Sequence, residues 1–196
     1  MMRIGYSVEG STDRALMKGL QHRWCNKAQL MEGQFRGSSG QSRRREIPNT
    51  CIELIFKEAD IIVFLRDAND EDWRDALRNE RKHCRPEHQH LTIFGVCHRN
   101  VECWICADAE WIAAKTGKPA PDFRIADPKR VFEHAMDISS FDRKEEEIAK
   151  LVQDAPLQNW LSNRSFEDFY DALWQKSKEL GCSIENLRSR PQKPQS

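Results

Sequence analysis

A chain of 196 residues, 39% hydrophobic and 32% charged, is long enough to bury a real core and reads as one domain, or one domain with a small appendage. Lys plus Arg and Asp plus Glu stand at 31 each, so bulk charge points to neither a nucleic-acid nor a membrane partner, and local charge must carry any such argument. No run is apolar and long enough to span a bilayer, MMRIGYSVEG lacks an apolar core of signal-peptide length, and seven cysteines without paired small-domain spacing predict free thiols in a reducing, cytoplasmic setting.

The elements alternate. Residues 3–8 (RIGYSV) predict a strand, and 12–25 a helix with Ala15, Leu16, Gly19 and Leu20 on one face. Residues 28–35 predict a weak strand, followed by the Gly/Ser-rich loop RGSSGQSRRRE, with Pro48 opening the next helix. DIIVFLRD (60–67) has the continuous apolar centre of a strand buried on both faces. A charged amphipathic helix follows, then the strand LTIFGVC (91–97). A helix over VECWICADAEWIAAKTG is stopped by Gly117 and Pro119. This order implies an α/β fold with a four-stranded, mostly parallel sheet, right-handed crossovers and helices on both faces.

Beyond Pro128 only short helices are expected, the last carrying Phe166, Phe169, Tyr170, Leu173 and Trp174 on one face. The expected organisation is a sheet domain over 1–120, a helical extension packed on the same core over 121–187, and a disordered tail over 188–196.

Three acidic residues close or follow predicted strands: Glu9, Asp67 and Glu102. Loops after parallel strands share one sheet edge, where ligand sites form, so these carboxylates are expected to converge. Asn69 and Asp70 follow Asp67, and Asp108 lies two turns beyond Glu102 on what reads as one helix. Converging carboxylates repel, and a divalent cation relieves them; oxygen-only ligands suit Mg²⁺ or Mn²⁺. Taken singly, Asp67 or Asp70 is equally explained as a helix cap.

YSVEGSTDRAL resembles the first motif of the Toprim superfamily, IIVFLRDAND resembles its second, and NVECWICAD is similar to a helix of the small stand-alone Toprim-like proteins. The resemblance covers residues 3–117. It implies a Toprim-like sheet binding one or two Mg²⁺ ions, with Glu9 a metal ligand or general acid/base and Asp67 a metal ligand. Glu102 and Asp108 would match extra acidic positions of the OLD-like nucleases. Asn69 departs from the motif, standing where the second Asp of Asp-x-Asp is expected, and Asp70 follows one residue late.

Arg36, Arg43, Arg44 and Arg45 in the predicted loop are candidate phosphate contacts, with His22, Arg23 and Lys27 extending the patch; a solvated surface loop explains them equally well. His83, Cys84, His88, His90, Cys97, His98, Cys103 and Cys106 crowd one window, but their spacing matches no structural zinc site. Among these His98, just past a strand, is the candidate phosphate contact or proton donor. The expected function is Mg²⁺- or Mn²⁺-dependent cleavage of DNA or RNA. The chain lacks a nucleotide-binding Gly-x4-Gly-Lys loop. A separate ATPase subunit and a role in phage defence are implied by the OLD-like resemblance alone. The alternative is a catalytically degenerate Toprim-like module that binds a partner protein or nucleic acid.

Overall fold

The computed structural model describes residues 1–24, 28–34, 40–120, 122, 127–136, 141–182 and 184–188, and of 40–44 and 141–144 the backbone alone. The alternation expected from the sequence is present as β1 (Arg3–Ser7), α1 (Ser11–Gln21), β2 (Gln29–Glu32), α2 (Gly40–Phe56), β3 (Ile61–Asp67), α3 (Trp73–His83), α4 (Pro86–Gln89) and β4 (Thr92–Cys97). Among the described residues, six further helices follow: α5 (Glu102–Ile105), α6 (Ala109–Thr116), α7 (Pro128–Met136), α8 (Phe141–Asp154), α9 (Leu157–Trp160) and α10 (Arg164–Glu179). The four strands form one all-parallel sheet in the order β2-β1-β3-β4. The chain winds outward from β1 to β2, then returns to the other side of β1 for β3. A crevice therefore opens between the carboxyl ends of β1 and β3, where the winding reverses.

Alternation along the strands divides the core into two layers. Ile61, Val63 and Leu65 of β3 pack with α1, α8 and α10, whereas Ile62 and Phe64 pack with Ile47, Cys51 and Leu54 of α2 and with Ala76 and Leu77 of α3. Burial on both faces is what the unbroken apolar run of β3 requires. Close approach demands glycine where helices meet the sheet and each other. A Cβ at Gly95 would stand 2.8 Å from the Phe169 ring of α10, and one at Gly19 would stand 2.5 Å from Val152 of α8. Arg14 of α1 clamps Glu32 of β2 through three hydrogen bonds and reaches Glu145 of α8.

Three expectations are corrected. Pro48 does not open a helix; it lies inside α2, which already begins at Gly40. The buried stripe Ile47, Cys51 and Leu54 holds the helix on the sheet across the missing N–H. Arg43, Arg44 and Arg45 accordingly stand on a helix and not in a loop; Arg45 is exposed, while Arg36 and the side chains of Arg43 and Arg44 lie outside the described residues. The helix expected across 101–117 is broken after Ile105, because the Asp108 carboxylate accepts from Trp111 N at 3.0 Å and starts α6 afresh. Finally, Cys51, Cys84, Cys97, Cys103 and Cys106 are free thiols, but Cys182 is disulfide-bonded. Spacing gave no hint of it, because the segment after α10 folds back: Ile184 and Leu187 enter the core and the Tyr170 hydroxyl donates to Glu185 O. Cys25 and residues 189–196 of the expected tail lie outside the described residues. Arg188, at the start of that tail, pairs with Glu167 and Asp171.

Candidate metal centre at the carboxyl ends of the strands

Asp67 and Cys97 are register partners across β3 and β4. By the two-residue alternation both side chains emerge on the face covered by α1. Above them α1 starts at Ser11, and Asp13, in its first turn, is 3% exposed. Asp13, Asp67 and Cys97 each offer one ligand atom, and these atoms all lie within 4.8 Å of one another, a group able to hold a metal ion.

The backbone fixes this constellation. Asp13 Oδ2 accepts from Gly10 N at 2.9 Å, which ties the Glu9-Gly10 turn to the helix it begins. Asp67 Oδ1 accepts from Val101 N at 3.0 Å, anchoring the turn before α5. Ala68 N donates to Cys97 O, and Asn69 N donates to Arg99 O at 2.7 Å, so the strand ends stay paired as they leave the sheet. Asn69 and Arg99 both adopt left-handed backbone, with φ of 52° and 62°. Ser165 at the start of α10 accepts from His98 N at 2.9 Å and from Trp104 Nε1 at 2.7 Å. The Trp104 ring also stacks on Phe169 at 5.2 Å. The C-terminal helices therefore hold the β4–α5 corner that carries half of the site.

Among the described residues, carboxylates outweigh cations in the electrostatics of Asp13 and Asp67. Burial, then the charges of Asp67 and Glu102, push the Asp13 carboxyl up to about 8. Burial, then the Glu102 charge, raises Asp67 to about 6, and the more weakly acting cations Lys129 and Arg66 do not offset them. Burial and the same carboxylates push the Cys97 thiol well above its ordinary value. Asp13 Oδ1 is buried with no hydrogen-bond partner. An orphaned acceptor beside a second carboxylate and a thiol is a donor set that a divalent cation fits.

The structure brings Glu9, Asp67 and Glu102 to one edge, as expected. Glu9 is exposed at the crevice mouth, its Oε2 3.5 Å from Asp67 N, and Glu102 is 2% exposed. Asn69 and Asp70 are exposed in the turn closed by Glu71 N to Ala68 O, and neither caps a helix; the cap of α3 is Asp72. Asp108 is taken up elsewhere: it caps α6, and its second oxygen accepts from Asn159 at 2.6 Å. His98 is exposed just beyond β4. Arg23 is bound to Ala155 O and Glu185, and Lys27 lies outside the described residues.

Sequence reading missed Asp13 and Cys97. The first reads as an ordinary acidic residue in the first turn of a helix, and its burial shows only once α1 is packed over the sheet. The second became legible only through strand register. No protein-family model, no curated protein and no solved structure matches the chain. Its class is that of an α/β protein with an acidic crevice at the reversal point of a parallel sheet, and the site's own chemistry must carry the functional reading.

Proposed function

We propose that this protein is a divalent-cation-dependent phosphodiesterase of Toprim-like type that cuts DNA or RNA. The observation that carries the reading is the buried, unpartnered Asp13 Oδ1 beside Asp67, at the edge where Glu9 and Glu102 also gather. Asp13 and Asp67 would hold the ion, with Glu9 and the Asn69–Asp70 turn at the open side; Mg²⁺ or Mn²⁺ is the ion expected from the carboxylates. When bound, such an ion supplies Lewis-acid stabilisation to a phosphoryl group.

The remaining roles fall to the chain itself. Glu9, exposed and with Oε2 3.5 Å from Asp67 N, would take a proton from the attacking water. His98, exposed just beyond β4, would be the candidate to return one to the leaving oxygen. Arg99 is exposed beside Asn69, and Lys129 lies within electrostatic reach of Asp67; with Arg45 they supply cations for the phosphate backbone. Sequence resemblance is the sole support for a separate ATPase subunit and for phage defence.

The test is metal-dependent cleavage of labelled single- and double-stranded DNA and RNA. Glu9→Ala and Asp67→Ala should each abolish it while the variants stay folded. Cleavage that survives Glu9→Ala ends the catalytic reading. Asn69 supports a second reading, a degenerate module that binds metal and nucleic acid without cutting, because a neutral amide replaces a hard anionic ligand. Stoichiometric metal binding with no cleavage of any of the four substrates would select it.

A further inference from the structure

We infer that Cys97 is a ligand of this centre and that its sulfur tunes the site to a borderline-soft divalent cation of the zinc and cobalt class in preference to Mg²⁺. The inference rests on the metal reading above and names the ion. Cys97 is 0% exposed, its carbonyl is held by Ala68 N, and its register partner is Asp67, so its side chain leaves the sheet on the same face as the Asp67 carboxylate. The mutual spacing, within 4.8 Å, is near the ~3–4 Å that separates neighbouring oxygen and sulfur donors around one zinc-sized ion.

A buried cysteine ordinarily packs as a small apolar group. This one has two carboxylates at its side and the charge of a third, Glu102, acting on it, polar surroundings unlike those of a thiol packed in an apolar core. A cation changes the sign of the arrangement: the carboxylates are neutralised, and a coordinating thiol gives up its proton. Independently, the unpartnered Asp13 Oδ1 gives this cation a hard donor. Two carboxylates and one thiolate make three protein ligands, which leaves a position for water or a phosphate oxygen, the pattern of a catalytic zinc site. Mg²⁺ prefers six oxygens and gains little from sulfur.

The test titrates the metal-free protein with Cd²⁺ and Co²⁺, following the ultraviolet thiolate-to-metal charge-transfer band, and with Zn²⁺, Mg²⁺ and Mn²⁺ by calorimetry. One equivalent should produce the band, and Zn²⁺ should bind about a hundredfold or more tighter than Mg²⁺. Cys97→Ser should lose the band and weaken Zn²⁺ binding about tenfold or more, leaving Mg²⁺ within about twofold. Cys103→Ser should keep the band. Cys97→Ala repeats the measurement should the serine variant fail to fold. A band that persists in the folded Cys97 variant, or no band in a wild-type protein that binds Mg²⁺ or Mn²⁺, overturns the inference and leaves the metal reading standing. Failure of all five cations to bind overturns both.

Discussion

Arg66 and Asp67 are neighbours at the end of β3, and they face opposite sides of the sheet. On the α3 side, Arg66 is 15% exposed and pairs with Glu80, itself 5% exposed, and with Glu71, both at 2.8 Å. On the α1 side, Asp67 meets a carboxyl, Asp13, and a thiol, Cys97. The same strand end thus carries a buried charge that the fold neutralises and a buried charge crowded by others of its own sign. Where charge is structural this protein supplies the counter-ion from its own sequence. On the α1 side the buried Asp13 Oδ1 has no hydrogen-bond partner, and that contrast with the paired Glu80 supports a metal centre.

The largest expected effect comes from breaking the satisfied side. Arg66→Ala strands Glu80 in a nearly closed environment and should cost about 3 kcal/mol of unfolding free energy in urea titrations. Asp13→Asn on the other side should do the opposite. It removes one of the like charges and keeps the shape, so the metal-free protein should gain about 1–2 kcal/mol at pH 8. The same variant should lose the rise in melting temperature that a divalent cation gives the wild type, since binding to the folded state alone produces that rise. A loss of stability in metal-free Asp13→Asn would erase the contrast between the two sides.

A pH series reads the same crowding more gently. An aspartate in the unfolded chain titrates near ~3.9. In the folded protein Asp13 is pushed up to about 8 and Asp67 to about 6. Between these limits the folded state binds more protons than the unfolded one, so stability falls as pH rises. The contribution is fully present below about pH 4 and is lost as the pH passes through about 6 and then about 8. Metal-free wild type should therefore lose stability between pH 5 and 9, and Asp13→Asn should lose about half as much or less. Metal affinity should move the other way, rising with pH as the ligands shed their protons. A wild-type profile parallel to that of Asp13→Asn would place the raised carboxyl elsewhere.

Much of this arrangement was legible in the sequence because strands announce their ends. The apolar run of β3 stops at Asp67 and β1 stops just before Glu9, and parallel topology then forces those ends together. Glu102 followed from the same logic one corner later. What stayed hidden depended on facing and on competition. Asp13 reads as an ordinary acidic residue in the first turn of a helix, and only the packing of α1 over the sheet shows that this turn is buried. Cys97 sits among so many histidines and cysteines that spacing suggests packing, whereas register sets it beside Asp67. Pro48 and Asp108 misled for a common reason: the local preference of a single residue was outweighed, or made decisive, by the contacts of its neighbours.

The smallest effect, and the finest test of the crowded side, is Asn69→Asp. Asn69 is exposed at φ 52° in the turn two residues past Asp67, and its N–H is held by Arg99 O. Aspartate tolerates that left-handed conformation nearly as well as asparagine, so stability should change by less than about 0.5 kcal/mol. The substitution exchanges a neutral oxygen donor for an anionic one at the crevice mouth, where solvent weakens its repulsion with Asp67. Mg²⁺ and Mn²⁺ affinities measured by calorimetry should rise about three- to tenfold, and hard ions should gain more than Zn²⁺. A parallel rise in cleavage would mean that the asparagine restrains an active centre. Tighter metal with no cleavage would instead favour the binding module. Unchanged affinity for every ion would remove residue 69 from the ligand set and confine the centre to the buried side of the strand ends, where Asp13, Asp67 and Cys97 stand.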